Sequence, residues 1–172
     1  MLLSLAIWLQ NTALCTAVRE AIYGYPTFLA LHLTFIALFG AMIFVTDLRL
    51  LGFALRDYSI ADVVNQLRIP KRIGFLLAAT CGFLVFGTKS EEYYYNAFFR
   101  TKLVLFLCVA IHALLFRRII YNHPEKLDQQ SGPPVAARVA ALTSVALWIC
   151  IAIAGRAIGY IPAPLFSHHF TP

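Results

Sequence analysis

Several ionisable side chains in this chain stand where an apolar setting would make them reactive. His32 lies inside PTFLALHLTFIALFGAMIFVTDLRLLG, the membrane-length run from Pro26 to Gly52. Lys102 and His112 lie inside a second long run, Phe98 to Ile120, and Arg156 closes the last one. Ionisable groups within hydrocarbon are costly, so they face protein, water or a ligand rather than lipid. Two histidines on neighbouring helices can grip the iron of a b-type haem. A cation beside a histidine instead suits oxygen acceptors such as a quinone head group or a porphyrin propionate.

Depth along the helices sorts these groups. From Pro26, His32 lies roughly 9 Å in at 1.5 Å per residue, whereas His112 lies roughly 21 Å in from Phe98. The two histidines thus differ in depth by roughly 12–15 Å, more than ordinary tilts close, and are not expected to share one iron. Lys102 lies about 6 Å below the surface on the His32 side. Arg156 and the pair Glu91 and Glu92 belong to that side too, because the second and fourth runs end there. The candidate site therefore holds His32, Lys102, Arg156 and one glutamate, walled by Phe86, Phe106 and Trp148. It can ligate a haem iron through His32 alone, hold a quinone head group, or accept an anionic group.

Each group also has a plain structural role. A neutral His32 can bond a backbone carbonyl, and Lys102 and Arg156 can snorkel to head groups. His112 stands at the depth of Thr143, Ser144 and Gly40, where an interhelical hydrogen bond is expected. The cofactor-binding candidates are accordingly His32, Lys102, Arg156 and His112, with His32 as the metal ligand. Asp47 and Arg49 read as an ion pair at a helix end, with Arg117 or Arg118 nearby. His123, His168 and His169 fall in loops and complete no metal site.

The elements that must position these residues follow from composition. The chain has 172 residues, 60% of them hydrophobic, and a mean hydropathy of +0.75. The apolar residues come in long runs, the mark of membrane helices. Four spans are predicted, at about 26–51, 73–88, 98–120 and 135–155, forming an all-α, antiparallel four-helix transmembrane bundle. Residues 1–25 read as an N-terminal interfacial helix, because Gln10, Asn11 and Thr12 interrupt the apolar run and Trp8 suits the head-group level. Residues 53–72 predict a short amphipathic helix, opened by Ser59 with Asp62 and stopped by Pro70. Gly74, Ala78 and Gly82 form a small-residue stripe that admits a close neighbour. Residues 121–134 read as a polar loop and 156–172 as a tail without regular structure.

The net charge of +6 lies between the runs, which fits loops beside anionic lipid rather than nucleic-acid binding. Arg49, Arg56, Arg68, Lys71, Arg72, Arg117, Arg118, Lys126 and Arg138 stand at one end of the bundle; Arg19, Lys89, Arg100, Lys102 and Arg156 stand at the other. The excess places the first end in the cytoplasm and both termini outside. Cys15, Cys81, Cys108 and Cys150 show no close pairing, so neither a disulfide framework nor a zinc site is expected. No nucleophile–base pair or phosphate loop supports hydrolysis or phosphoryl transfer.

The segment from Pro26 to Arg118 resembles a bacterial family of small inner-membrane proteins of unknown function. The resemblance rests on a proline and histidine opening span 1, on DLRLLG at Asp47 to Gly52, and on F-x-x-K at Phe99 to Lys102. A looser similarity, carried by His32, Lys102 and His112, is to HemJ-type protoporphyrinogen oxidases and CopD-like membrane domains. That similarity implies haem b and porphyrin chemistry; the first implies a multi-pass protein of a bacterial inner membrane. The function expected is a small redox-associated membrane protein that binds haem b or quinone near the extracytoplasmic side. The alternative is a non-enzymatic subunit, partnered by other membrane subunits, or a small transporter-like bundle without cofactor.

Overall fold

A computed structural model describes residues 1–117, 120, 122, 124–128 and 132–160. The chain begins with two short helices, α1 (Leu2–Gln10) and α2 (Ala13–Glu20), followed by the long α3 (Gly24–Leu51). Then come α4 (Ile60–Gln66), α5 (Arg68–Thr88), α6 (Ser90–Tyr95), α7 (Ala97–Arg117), α8 (Glu125–Asp128) and α9 (Val135–Ile158). Four helical stretches are long and apolar enough to cross a membrane, those of α3, α5 (continuous with α4), α7 and α9. The protein is an all-α membrane bundle, and its outward leucines and phenylalanines, such as Leu76, Phe83, Leu107 and Leu114, face lipid.

Packing runs in a row. The α3 helix lies against α5 on one flank and α9 on the other, and α7 lies against α9. Among the described residues α5 and α7 share no extended packing; they meet through the stacked rings of Phe86 and Phe99, 5.0 Å between centroids. One end of the row carries α1, α2 and α6 (the α6 end), and the other carries α4 and α8 (the α4 end).

Residues 1–25 form two helices rather than one. The chain breaks at Asn11–Thr12, where the Thr12 hydroxyl donates to Leu9 O at 2.8 Å. The α1 helix docks on α6: Ser90 Oγ donates to Ala6 O at 2.7 Å, and Gln10 Oε1 accepts from the Glu91 N–H at 3.1 Å. The stretch between α5 and α7 is helical over Ser90–Tyr95, and Asn96 Oδ1 caps α7 by accepting from the Phe99 N–H.

At the α4 end, α3 stops at Gly52, whose φ of +80° suits glycine, with the Phe53 N–H reaching back to Leu48 O. Ser59 caps α4 by accepting from the Asp62 N–H, as the sequence predicts. Pro70 does not stop this region. It lies in the first turn of α5, where a missing N–H costs nothing, so the helix that contains the predicted span 2 starts at Arg68. Span 4 continues to Ile158, three residues beyond its predicted end.

The loop at 121–134 contains the short α8, which sequence reading placed in no element. Its Asp128 crosses to α4, accepting from the Ile60 N–H at 2.7 Å and the Ala61 N–H at 2.9 Å. Those two donors would otherwise be orphaned at a helix start. Beneath them Leu50, Ile60, Val64, Ile120, Leu127, Ala137, Ala140 and Ala141 close into a buried cluster. Asp128→Ala should cost about 1–2 kcal/mol in reversible unfolding, with Asp128→Asn losing less because one acceptor remains. An unfolding curve for Asp128→Ala that superimposes on the wild type would show this cap to be idle.

Candidate functional site within the bundle

The stripe Gly74–Ala78–Gly82 on α5 is spent inside the bundle, against α3. A Cβ on Gly74 would meet Met42 Cε at 3.1 Å and Phe39 Cβ at 3.4 Å. Two turns nearer the α6 end, the His32 imidazole lies on Gly82: a Cβ there would fall 2.5 Å from Cε1 and 2.9 Å from Nδ1. This approach lets His32 Nδ1 reach Ala78 O at 2.8 Å. A carbonyl only accepts, so Nδ1 carries the proton, and Nε2 of the neutral ring is left with its lone pair.

Lys102 enters from α7. Its Nζ rests against Gly155 of α9, where a Cβ would come within 3.4 Å of it, and 5.7 Å from the Phe106 ring centroid. It lies within electrostatic reach of His32. Among the described residues the ammonium has no hydrogen-bond acceptor and no carboxylate. Phe106 in turn contacts Trp148, 6.4 Å between centroids, which packs edge-on to Phe39 at 5.3 Å. His32 and Lys102 thus lie within electrostatic reach of each other, each seated on a glycine of the neighbouring helix.

The other candidates lie elsewhere. Arg156 is exposed and turns to Tyr160, bonding its hydroxyl and covering its ring at 4.5 Å. Gly155 faces Lys102, and the next residue projects about 100° round the helix, so Arg156 shares the height of the site but not its direction. Glu92 pairs with Lys89 at 3.9 Å on the exposed side. His112 makes the interhelical bond expected of it, Nε2 donating to Ala140 O of α9 at 2.9 Å, beside the Phe116 ring. Ala140 stands eighteen residues from the α9 terminus and Ala78 ten from that of α5, an offset of about 12 Å between the two histidine bonds. His123, His168, His169 and Arg118 lie outside the described residues. No group of three or more metal-ligating side chains occurs among the described ones.

Above the His32–Lys102 level, at the α6 end, is a cavity of about 390 Å³ lined by Tyr25, Lys89, Glu92, Tyr93, Ile158 and Gly159. The Tyr25 and Tyr93 hydroxyls stand 3.3 Å apart, and Lys89 Nζ lies 4.9 Å from the Tyr25 ring centroid. Burial, and then the bond to Tyr25, holds the Tyr93 phenol above its usual range, so it stays a protonated donor. Tyr93, Phe99 and Phe86 stack in turn, 5.2 Å and 5.0 Å between centroids. Gly159, in the cavity wall, is one turn of α9 from Gly155, so Lys102 lies about 6 Å below that wall.

Sequence reasoning overlooked a second polar group, at the α4 end. Asp47 is only 7% exposed and is not paired with Arg49, which instead donates twice to Tyr58 O at 2.9 and 2.8 Å. Asp47 is hydrogen-bonded by Ser144 of α9 and lies within reach of Lys71 of α5. Lys71, also 7% exposed, donates to Thr46 Oγ1 at 3.0 Å. Counting Lys71 among loop charges hid it; the signal was Pro70, which opens a helix as readily as it ends one.

No curated protein sequence and no solved structure matches the chain. The profile of a family of unknown function (DUF6644) matches residues 8–161, nearly the whole chain, from the second half of α1 to just beyond α9. The protein belongs to that family.

Proposed function

We propose that the bundle binds the oxygenated head group of a lipid-soluble redox ligand, a quinone or quinol, between His32 and Lys102. The observation that carries this reading is the Lys102 ammonium, seated on Gly155 without an acceptor among the described residues. A head-group carbonyl supplies that acceptor. The Nε2 lone pair of His32, fixed by the bond to Ala78, accepts from a quinol hydroxyl. The cavity above, edged by Tyr25 and Tyr93, gives such a ligand a polar mouth at the α6 end. On this reading the chain is a small redox-associated membrane protein, with its site in the extracytoplasmic half by the charge asymmetry of its loops.

One observation favours haem b instead. A histidine whose Nδ1–H rests on a backbone carbonyl presents Nε2 in the form that binds iron, and Lys102 suits a propionate. His112 is about 12 Å deeper and spent on Ala140, so this haem would have one histidine ligand from the chain.

Two spectra decide. In a Trp8→Phe background Trp148 is the sole tryptophan, and it contacts the Phe106 that lies under Lys102. A short-tailed benzoquinone or naphthoquinone should quench it saturably, and Lys102→Met should abolish saturation. Equal, unsaturable quenching in both proteins would refute the quinone site. Haem predicts a Soret band in the purified protein that disappears in His32→Ala. A colourless protein from haem-replete cells, unquenched by quinone, would leave both histidines as helix-to-helix staples in a subunit without cofactor.

A further inference from the structure

The polar group at the α4 end has no part in the site above. Asp47 belongs to α3, Lys71 to α5 and Ser144 to α9, so three spans each send one polar side chain to a single point. Asp47 is 93% buried, and its Oδ2 has no hydrogen-bond partner among the described residues. A carboxylate oxygen without a donor among the described residues, in so dry a place, leaves the desolvation of the charge only partly compensated, by Ser144 and Lys71. Other groups around it leave that oxygen alone. Thr46 turns its hydroxyl to Met42 O and accepts from Lys71. Arg49 is held by Tyr58 O, and Arg68 lies within electrostatic reach of Lys71. Asp62 on α4 is exposed, with Ser59 on its amide, and Asp128 is spent on the start of α4.

We infer that Asp47 is a proton-binding site, its open Oδ2 taking up and releasing a proton within the membrane-spanning region beside Lys71 and Ser144. A single O–H bond forms at Oδ2 on uptake and breaks on release, with the solvent at the α4 end as donor and acceptor. Ser144 holds the carboxyl in place, and the Lys71 ammonium opposes retention of the proton. The Asp47–Lys71 pair therefore alternates between a net positive charge and neutrality. Such a group couples the proton concentration at one membrane face to the packing of α3, α5 and α9.

The test is infrared difference spectroscopy of the protein in liposomes, between acid and alkaline buffer. A protonated carboxyl C=O band should appear on acidification, be absent in Asp47→Asn, and shift on 13C-aspartate labelling of the wild type. In Lys71→Met, which lacks the ammonium, the band should persist into more alkaline buffer. If Asp47→Asn fails to fold, the labelled wild type still decides the matter. No labelled buried-carboxyl band over the range in which the protein stays folded would overturn the proposal. So would a band that never changes with pH, or one driven by sodium at fixed pH, which would make the site a cation site.

Discussion

Gly82→Val should be the most damaging single substitution in the upper half of the bundle. The new Cβ would stand 2.5 Å from the His32 ring, and the branch adds two further methyls. The ring has to leave Ala78 O, or α5 has to move off α3. Overpacking of this kind costs about 1–3 kcal/mol, and the lost interhelical bond adds about 0.6 kcal/mol or somewhat more. The effect should be coupled rather than additive. His32→Ala removes the obstruction, so the double variant should be more stable than Gly82→Val alone, by a margin that only contacting residues show. Gly40→Ala serves as the control, since a Cβ there meets nothing within 4 Å. Reversible unfolding in mixed detergent micelles measures all four proteins. Strict additivity would mean that His32 and Gly82 do not meet in the membrane.

The second large effect is at the other end. Lys71→Met deletes the cation beside a carboxylate that is itself only 7% exposed. Removing one partner of a buried pair costs about 3–5 kcal/mol, because the remaining charge stays desolvated and uncompensated. The loss should be greatest in alkaline buffer, where Asp47 is charged, and shrink as the medium is acidified and the carboxyl is neutralised. Adding Asp47→Asn should recover part of the stability in alkaline buffer and little in acid, where the carboxyl is already neutral. An unfolding free energy for Lys71→Met that does not depend on pH would break the link between these two side chains.

These expectations differ in how far the sequence carried them. Spans 1, 3 and 4 were legible because long apolar runs admit one structure in a bilayer. The helix of span 2 reaches back to Arg68 because Pro70 opens α5 rather than stopping the helix before it, and this buries Lys71, which the sequence sets among loop charges. The helix α8 carried no local signal: Asp128 is needed by amides 67 and 68 residues earlier in the chain. At the site, depth counting brought His32 and Lys102 together and separated His112, since rise per residue is a property of any helix. It also placed Arg156 at that height, where the side chain is exposed and turned to Tyr160. Height follows from counting, but azimuth depends on which face each helix gives its neighbour, and only packing settles that. The stripe Gly74–Ala78–Gly82 was legible as a close contact, while its partners Phe39, Met42 and His32 were not.

The row in which the spans pack bears on how the molecule is made. The α3–α5 hairpin has its own latch, His32 on Ala78, and the α7–α9 hairpin has another, His112 on Ala140. The two are joined along the seam of α3 with α9. During synthesis the first hairpin can therefore complete its latch before any residue of the second has left the ribosome. Assembly then reduces to laying one finished unit beside another, a step in which α9, the last of the described helices, supplies the mating surface for both α3 and α7.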